Sequence, residues 1–409
     1  MLRLLALVST LALVSVACAN DASTAPSTVQ PAADGPPTTT ARSDAVGFGV
    51  SEASELPGDL PAVTGAWETD WTRTTIELDE LIVGILVPDP RDGIPPIDNP
   101  QFESVTAGAE WLSERDPGVL IRHEDETRFY PLGILNRHEI VNDQLGDVPI
   151  SVTYCPLCNT GVAFDRRIDG VTHRFGVSGL LRKSDLVMWD DLTGSLWQQI
   201  TGEGIVGTHA GVQLTLIPSS IVSYGEFVES FPDGQTLSRD TGFNRQYGLN
   251  FYEYYSSRTR VAGFTDGELD DRFPALERVV GVSIGGTEKA YPFSVISEAG
   301  AINDEVAGAQ LVVFWGGNTA DALDRAYISQ ARSIGTGVAY SSVVDGTTLT
   351  FSATGDSAFS DDQTESTWSI LGTAIDGPLR GKELDTVIHR NEFWFAWTAF
   401  FPDGEVYGA

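Results

Sequence analysis

Basic residues are scarce in this chain. Its 409 residues include 25 lysines and arginines against 57 aspartates and glutamates, so the formal net charge is −32 at pH 7. Nucleic acids and anionic membrane surfaces are bound through clustered lysine and arginine side chains, so this composition argues against both as partners. The acidity suits a soluble surface in a salty exterior.

Cysteine is also rare, and several familiar catalytic patterns are missing. The chain has three cysteines, two methionines and five histidines. It shows no grouped serine, histidine and aspartate, no phosphate-binding loop and no HExxH motif. Hydrolase and nucleotide-dependent activities therefore have no support, and whether the chain is an enzyme stays open. Cys155 and Cys158 are the only close pair of thiols, and they would pair in an oxidising compartment.

Long hydrophobic runs are missing as well. The apolar run from Leu4 to Val16 is shorter than the roughly 20 residues of a membrane span, but it suits a signal peptide. Val16-Ala17-Cys18 resembles a lipobox, in which Cys18 is acylated. We therefore expect residues 1–18 to be a lipoprotein-type signal peptide and residues 19–60 to be an Ala, Ser, Thr and Pro-rich tether. The protein would be anchored on the outer face of the cell membrane through Cys18, with secretion as the alternative.

Two long stretches of the chain resemble each other. Tyr130-Pro131 matches Tyr291-Pro292 and, at the same spacing, Asn142-Asp143 matches Asn303-Asp304. Such periodicity predicts two tandem repeats, over residues 61–240 and 241–409. Four first-repeat features are replaced in the second: Cys155-Pro-Leu-Cys158 by Gly316-Gly317, His138 by Ala299, His173 by Leu349 and Met188 by Phe359. Residues confined to the first repeat are the functional candidates.

The sequence of each repeat predicts an α+β fold that is predominantly antiparallel β, with short helices. Short runs of β-formers are separated by Gly, Asp and Asn turns, and Asp169-Gly170 and Asp345-Gly346 predict two-residue hairpins. Apolar spacing predicts helices over 135–144 and 219–231.

Several motifs in the first repeat are similar, in order, to those of the DUF3179 family. They are Tyr130-Pro-Leu132, His138-Glu-Ile-Val-Asn-Asp143, Thr153-Tyr-Cys-Pro-Leu-Cys158, Phe175-Gly-Val-Ser-Gly-Leu180, Ser195-Leu-Trp-Gln198 and Thr201-Gly-Glu203. The resemblance covers roughly residues 94 to 400. It implies a mostly exported prokaryotic family without a settled activity, in which Cys155 and Cys158 form the thiol motif. Selenoproteins in such a family would favour redox chemistry. Arg137 departs from the family, which usually has an aromatic residue before the histidine.

Three interpretations of the Cys155-Pro-Leu-Cys158 turn stay open. Thiol redox is the first, although the turn leads into a strand and lacks the helix that lowers thiol pKa values in thioredoxin-type sites. A soft-metal site holding copper or zinc is the second, because two strands joined by such a turn resemble a metal knuckle. The third is a structural disulfide in a non-catalytic envelope binding or scaffold module.

Other residues would have to complete a metal or redox site. We expect His138 to be the third ligand or to tune the thiol pKa values, with Met188 as a further candidate metal ligand. We expect His173 to be a surface or packing residue, Asp185, Asp190 and Asp191 to be turn and surface carboxylates, and His209 to belong to no constellation.

The sequence thus predicts an envelope-tethered protein with thiol redox or metal chemistry at Cys155, Cys158 and His138. A redox or metal-donor protein is the expected partner, and the sequence does not identify a small-molecule substrate.

Overall fold

Strands dominate the fold because short runs of β-branched and aromatic residues alternate with turn-forming Gly, Asp and Asn. The structure, a computed structural model, describes residues 56–258, 261 and 269–408. The expected signal peptide, Cys18 and the tether as far as residue 55 lie outside these ranges. No helix within them has the length and hydropathy needed to cross a bilayer.

The described chain up to Leu237 contains four short helices and sixteen strands. The helices are α1 (Leu60–Thr64), α2 (Val105–Gly108), α3 (Leu132–His138) and α4 (Tyr224–Ser230), with a 3-10 turn at Leu78–Glu80. The strands are β1 (Leu81–Val83), β2 (Phe102–Ser104), β3 (Pro117–His123), β4 (Glu126–Pro131), β5 (Ile140–Leu145), β6 (Val148–Cys155), β7 (Thr160–Asp165), β8 (Arg167–Ile168), β9 (Val171–Thr172), β10 (Phe175–Arg182), β11 (Asp185–Asp190), β12 (Leu196–Gln198), β13 (Gly204–Val206), β14 (Leu216–Ile217), β15 (Ser219–Ser223) and β16 (Gln235–Leu237).

The rest of the described chain adds two helices and thirteen strands. The helices are α5 (Phe293–Ala299) and α6 (Trp394–Phe400), with 3-10 turns at Tyr255–Ser257 and Ile328–Gln330. The strands are β17 (Arg278–Ile284), β18 (Thr287–Pro292), β19 (Ala301–Val306), β20 (Ala309–Gly316), β21 (Thr336–Ser341), β22 (Val343–Val344), β23 (Thr347–Thr348), β24 (Phe351–Gly355), β25 (Ala358–Asp361), β26 (Thr367–Ser369), β27 (Ala374–Asp376), β28 (His389–Phe393) and β29 (Glu405–Val406).

These strands form small, mostly antiparallel sheets. The first part of the chain builds three sheets in the orders β15-β3-β4-β16-β2, β14-β7-β6-β5 and β1-β10-β11-β12-β13. The later part builds β28-β17-β18-β29, β19-β20-β21 and β24-β25-β26-β27, and β8-β9 and β22-β23 are separate hairpins. Among the named strand pairs of the described ranges, β4 with β16 and β18 with β29 are parallel and the others are antiparallel. The expected predominance of antiparallel β structure is confirmed.

The two hairpin turns form where the sequence predicts them. Asp169 and Gly170 both have positive φ values, of 50° and 78°, between the paired strands β8 and β9. Asp345 and Gly346 repeat this conformation, at 49° and 78°, between β22 and β23. An Asp-Gly pair suits this turn because both central residues need φ above zero.

The two expected helices are wrong over part of their length. Helix α3 ends at His138 because Glu139 adopts a left-handed conformation with a φ of 59°, and Ile140–Leu145 then pairs with β6. The expected helix over 219–231 likewise begins with a strand, β15, and becomes helical only at Tyr224. In both segments, pairing with β6 or β3 outweighs the local helical spacing.

The largest apolar core contains residues from both parts of the chain. Tyr154, Cys155 and Cys158 share this core with Ala320 and Phe393. Strand β28 packs beside β7 and β15, so the end of the chain lies against the turn that carries the cysteines.

Candidate functional site

The two cysteines lie in a tight connection between neighbouring strands. Cys155 is the last residue of β6 and pairs across the ladder with Thr160, the first residue of β7. Asn159 closes the turn in a left-handed conformation with a φ of 57°. Both thiols are free, and Cys155 is 2% and Cys158 0% exposed. Cys155 is thus fixed at a strand end and Cys158 in the turn that follows, and both sulphurs are covered by the core.

Side-chain and backbone hydrogen bonds dock this turn on β28. The amide of Phe393 donates to the carbonyl oxygen of Cys158 over 2.9 Å. Asn159 donates through Nδ2 to the carbonyl oxygen of Asn391 over 3.3 Å and accepts from the Tyr154 hydroxyl at 3.2 Å. The cysteine turn is therefore held from the side of the second expected repeat.

Asp185 completes a three-residue cluster with the cysteines. The turn between β10 and β11 uses positive φ at both Lys183 and Ser184, and it delivers Asp185 to the first position of β11. The Cys158 thiol donates to Oδ1 of Asp185 over 2.9 Å. One ligand atom from each of Cys155, Cys158 and Asp185 lies within 4.8 Å of the other two. This is the arrangement that a metal ion or a proton transfer would require.

The second oxygen of Asp185 is also engaged. Oδ2 accepts from Nε2 of Gln198 at 2.6 Å and from the amide of Ile200 at 2.9 Å. Asp185 is 0% exposed. Burial raises its pKa above the ordinary range, while the hydrogen bonds from Cys158 and Gln198 oppose that rise. The expectation that Asp185 is a surface carboxylate is wrong.

Glu139 adds a second buried carboxyl group to this environment. Burial raises its pKa to about 8, and a hydrogen bond of 3.4 Å from the Tyr252 hydroxyl opposes the rise. The charges of Asp185 and Glu139 both raise the pKa of the Cys155 thiol, adding to the larger effect of burial. Sequence reasoning missed Glu139. The signal that could have found it is its place inside the His138-Glu-Ile-Val-Asn-Asp143 motif.

The environment of the thiols therefore disfavours thiolate. Burial is the largest cause that raises the pKa of Cys158 well above its ordinary value, and the negative charge of Asp185 adds to it. Without a cation, both sulphurs are protonated at neutral pH.

His138 lies outside this cluster, contrary to the role expected for it. Its Nδ1 donates to the carbonyl oxygen of Pro95 over 2.7 Å, and its Nε2 accepts from the Tyr247 hydroxyl at 2.7 Å. Burial lowers its pKa to about 4, so the ring is neutral and both nitrogens are occupied. The left-handed Glu139 turns the chain directly after His138, so proximity in sequence does not bring the imidazole to the sulphurs.

Met188 is also separate from the cysteines. It is fully buried in the core that contains Phe175, Leu186 and Trp197. Because side chains alternate along a strand, Met188 shares the face of Leu186 rather than that of Asp185. Cys18 lies outside the described residues.

Comparison with known proteins identifies a family but no activity. The family model described as "Protein of unknown function (DUF3179)" matches residues 91–404. No curated protein and no solved structure matches the chain. The matched range includes the cysteine turn, Glu139 and Asp185, and it spans most of the 409 residues. This chain belongs to the DUF3179 family.

Proposed function

We propose that the chain binds a zinc ion through Cys155, Cys158 and Asp185. The observation that carries this proposal is the convergence of two sulphurs and one carboxylate oxygen within 4.8 Å. Zinc is commonly bound by thiolate and carboxylate groups, and three protein donors leave a fourth position for water or a substrate.

The electrostatic environment of the site favours the binding of a cation. The pKa values of both thiols and of the two buried carboxyl groups, Asp185 and Glu139, are raised. Negative charge is therefore unfavourable in this region. A divalent ion would allow both thiols to lose their protons and would offset the charge of Asp185. Gln198 and Ile200 would hold the carboxylate in place through the bonds they donate to Oδ2.

The donor set favours zinc over copper. A soft Cys, His and Met set would suit copper, but His138 is bonded elsewhere and Met188 shares the opposite strand face. An aspartate oxygen is a harder ligand than either of these, and zinc accepts it together with thiolates.

One contact supports a second candidate function, thiol–disulfide exchange. In that reaction, Cys155 would attack a partner disulfide, and Cys158 would then displace the partner's thiol and close a Cys155–Cys158 disulfide. Two electrons and two protons would pass from the two cysteines to the partner, which would leave as two thiols. Asp185, 2.9 Å from the Cys158 sulphur, would accept the Cys158 proton and pass it on to the second departing thiolate.

Elemental analysis of the purified full-length chain tests zinc binding. We expect one zinc per chain to disappear in Cys158→Ser and in Asp185→Asn. Asp356→Asn is the control, because Asp356 is an exposed carboxylate in the turn after β24 and accepts from the Gly317 amide over 2.9 Å where the second part lacks thiols. A zinc content equal to that of wild type in both variants would refute the metal site. Metal-free protein that oxidises reversibly to a Cys155–Cys158 disulfide would instead favour exchange.

We also propose that residues 61–240 and 241–409 are related repeats. The order from β3 to β7 through α3 corresponds to the order from β17 to β21 through α5. Tyr130 donates to Asp143 over 2.6 Å as Tyr291 donates to Asp304 over 2.8 Å. Asn142 and Asn303 bond in the same manner to the backbone of Phe175 and Phe351. A duplicated scaffold that carries thiols in one copy would account for these pairs.

Export and lipid anchoring through Cys18 remain proposals that rest on the N-terminal sequence. Labelled palmitate should enter the wild-type chain in a bacterial host that processes lipoproteins. Unchanged labelling of Cys18→Ala would contradict the anchor.

A further inference from the structure

A second group of potential ligands lies apart from the cysteines. One ligand atom from each of His173, Asp190 and His209 lies within 4.8 Å of the other two. The two imidazole rings meet edge to face, with centroids 5.3 Å apart, and the ring of His209 also packs against Trp197 at 5.7 Å. His173 is 4% exposed, whereas His209 is only partly buried. The group thus lies nearer the surface on the side of His209 than on the side of His173.

Asp190 orients the first histidine. Its Oδ1 accepts from Nδ1 of His173 over 3.1 Å, and the same carboxylate accepts from the Thr193 amide and from Nε1 of Trp197. Both oxygens of Asp190 thus accept hydrogen bonds, as an ionised carboxylate does. A histidine that donates one ring N–H to a carboxylate presents its other nitrogen, here Nε2, as a lone-pair donor.

His209 offers a second unused nitrogen. Its Nε2 is buried and has no hydrogen-bond partner among the described residues. A buried nitrogen without a partner is costly unless a ligand satisfies it.

The later part of the chain contains a turn after Asp361 that resembles the turn after Asp190 but has no histidines beside it. Asp361 accepts from Thr364 and from Nε1 of Trp368 over 2.9 Å, as Asp190 does from Thr193 and Trp197. Leu379 donates its amide to Oγ of Ser366 over 3.0 Å, and His209 donates its amide to Oγ of Ser195 over 3.1 Å.

The position of His173 also has a leucine counterpart in the later part of the chain, Leu349. The amide of Leu349 donates to the carbonyl oxygen of Ser342 over 2.8 Å, as that of His173 donates to Arg166 over 3.0 Å. Leucines thus occupy both histidine positions while the carboxylate and its turn are retained. The turn itself does not require imidazoles, so its structural role does not account for them.

We propose that His173 and His209 bind a divalent transition-metal ion through their Nε2 atoms, with Asp190 as the orienting carboxylate. Imidazole nitrogens are suitable ligands for zinc, copper and nickel, and the remaining positions would be filled by water or a substrate group. This site differs from the proposed cysteine site in its donor atoms and in the partial exposure of one of its residues, His209.

Calorimetric titration of the metal-free full-length chain with Zn²⁺ tests the inference. We expect the double variant His173→Leu/His209→Leu, which copies the side chains of the later turn, to bind one equivalent fewer than wild type. His209→Leu alone should weaken the same binding event at least tenfold. His123→Leu is the control, because His123 is a more exposed histidine that contacts Asp147 over 3.3 Å. The thermal unfolding midpoint of each variant shows whether it is folded.

The outcomes separate this inference from the cysteine proposal. Loss of one equivalent in the histidine variants with a folded chain supports the histidine site, whatever Cys158→Ser does. Unchanged zinc binding in His209→Leu or in the double variant overturns it. If the double variant does not fold, leucines cannot replace both histidines in this turn. The zinc titration of His209→Leu alone then tests the inference.

Discussion

At the scale of single residues, the burial of Asp185 changes the chemistry expected of the cysteine turn. A carboxylate 2.9 Å from the Cys158 sulphur holds the thiol in its protonated form, because a negative neighbour disfavours thiolate. The same carboxylate becomes a ligand once a cation is present. Asp185 therefore links the protonation of the thiols to metal binding.

Removing this charge should make the metal-free thiols more acidic. In Asp185→Asn, we expect the pKa of Cys158 to fall, because a nearby like charge is lost. Titration of thiolate absorbance in the presence of a chelator measures this pKa. Asp356→Asn should leave the titration unchanged, and an identical curve for Asp185→Asn would contradict the assigned electrostatics.

His138 should contribute to stability and not to metal binding. In Tyr247→Phe, the Nε2 of His138 loses its donor, and we expect the free energy of unfolding to fall by about 1–3 kcal/mol. Urea denaturation measures the loss, and Tyr327→Phe serves as an exposed control. Zinc content should equal that of wild type. A loss of zinc without loss of stability would restore His138 as a ligand.

The sequence predicted part of this site and missed part of it. Cys155 and Cys158 are three residues apart at a strand end, so their neighbourhood follows from local geometry. Asp185 is brought to them by the β10–β11 hairpin, and its burial depends on how two sheets pack. A sequence gives no direct sign of such packing, and an aspartate after Lys183-Ser184 looks like an ordinary turn residue.

At the scale of elements, the cysteine turn is stabilised by its contact with β28. The backbone of Cys158 and the side chain of Asn159 both bond to residues near the end of the chain. A change at Asn159 therefore tests the contact between the β6–β7 turn and a distant strand.

Two substitutions of Asn159 should separate side-chain bonding from backbone strain. Asn159→Gly keeps the left-handed conformation but loses the bonds to Tyr154 and Asn391, so we expect a loss of about 1–2 kcal/mol in the free energy of unfolding. Asn159→Ala should lose about 1 kcal/mol more, because alanine is strained at positive φ. Equal losses in urea denaturation would show that strain is not involved.

Element boundaries were predicted less well than element types. The Asp-Gly turns were correct because the required φ values are a local property of the residues. The segments 135–144 and 219–231 were assigned as continuous helices, but each is divided between a helix and a strand. Their apolar spacing fits both structures for a few residues, and pairing with a neighbouring strand decides between them.

At the scale of the whole molecule, buried ionisable groups should give the stability a distinctive pH dependence. Burial lowers the pKa of His138 and of His389 to about 4, so these residues reduce stability as the pH falls from 6.5 towards 4. Burial raises the pKa of Glu139 and of Glu392 to about 8 from 4.5, so these groups reduce stability as the pH rises between those values. Above pH 6.5, only the carboxyl effect remains among these four groups.

We therefore expect the free energy of unfolding of the metal-free chain to decrease as the pH rises from 6.5 to 8. The decrease should approach about 1.4 kcal/mol per pH unit for each carboxyl group that stays protonated when folded. Glu392→Gln should remove one of the two contributions, and Glu124→Gln, on the surface, should remove neither. An unchanged slope in Glu392→Gln, measured by urea denaturation at several pH values, would contradict the raised pKa.

Zinc-edge X-ray absorption tests most directly whether two sulphurs and a carboxylate hold one metal ion in the cysteine site. The sample would be the His173→Leu/His209→Leu chain with one equivalent of Zn²⁺, so that the proposed histidine site does not contribute. We predict two sulphur scatterers at about 2.3 Å together with oxygen at about 2.0–2.2 Å, the distances typical of zinc. A spectrum containing only oxygen and nitrogen neighbours, or a chain that retains no zinc, would contradict the account.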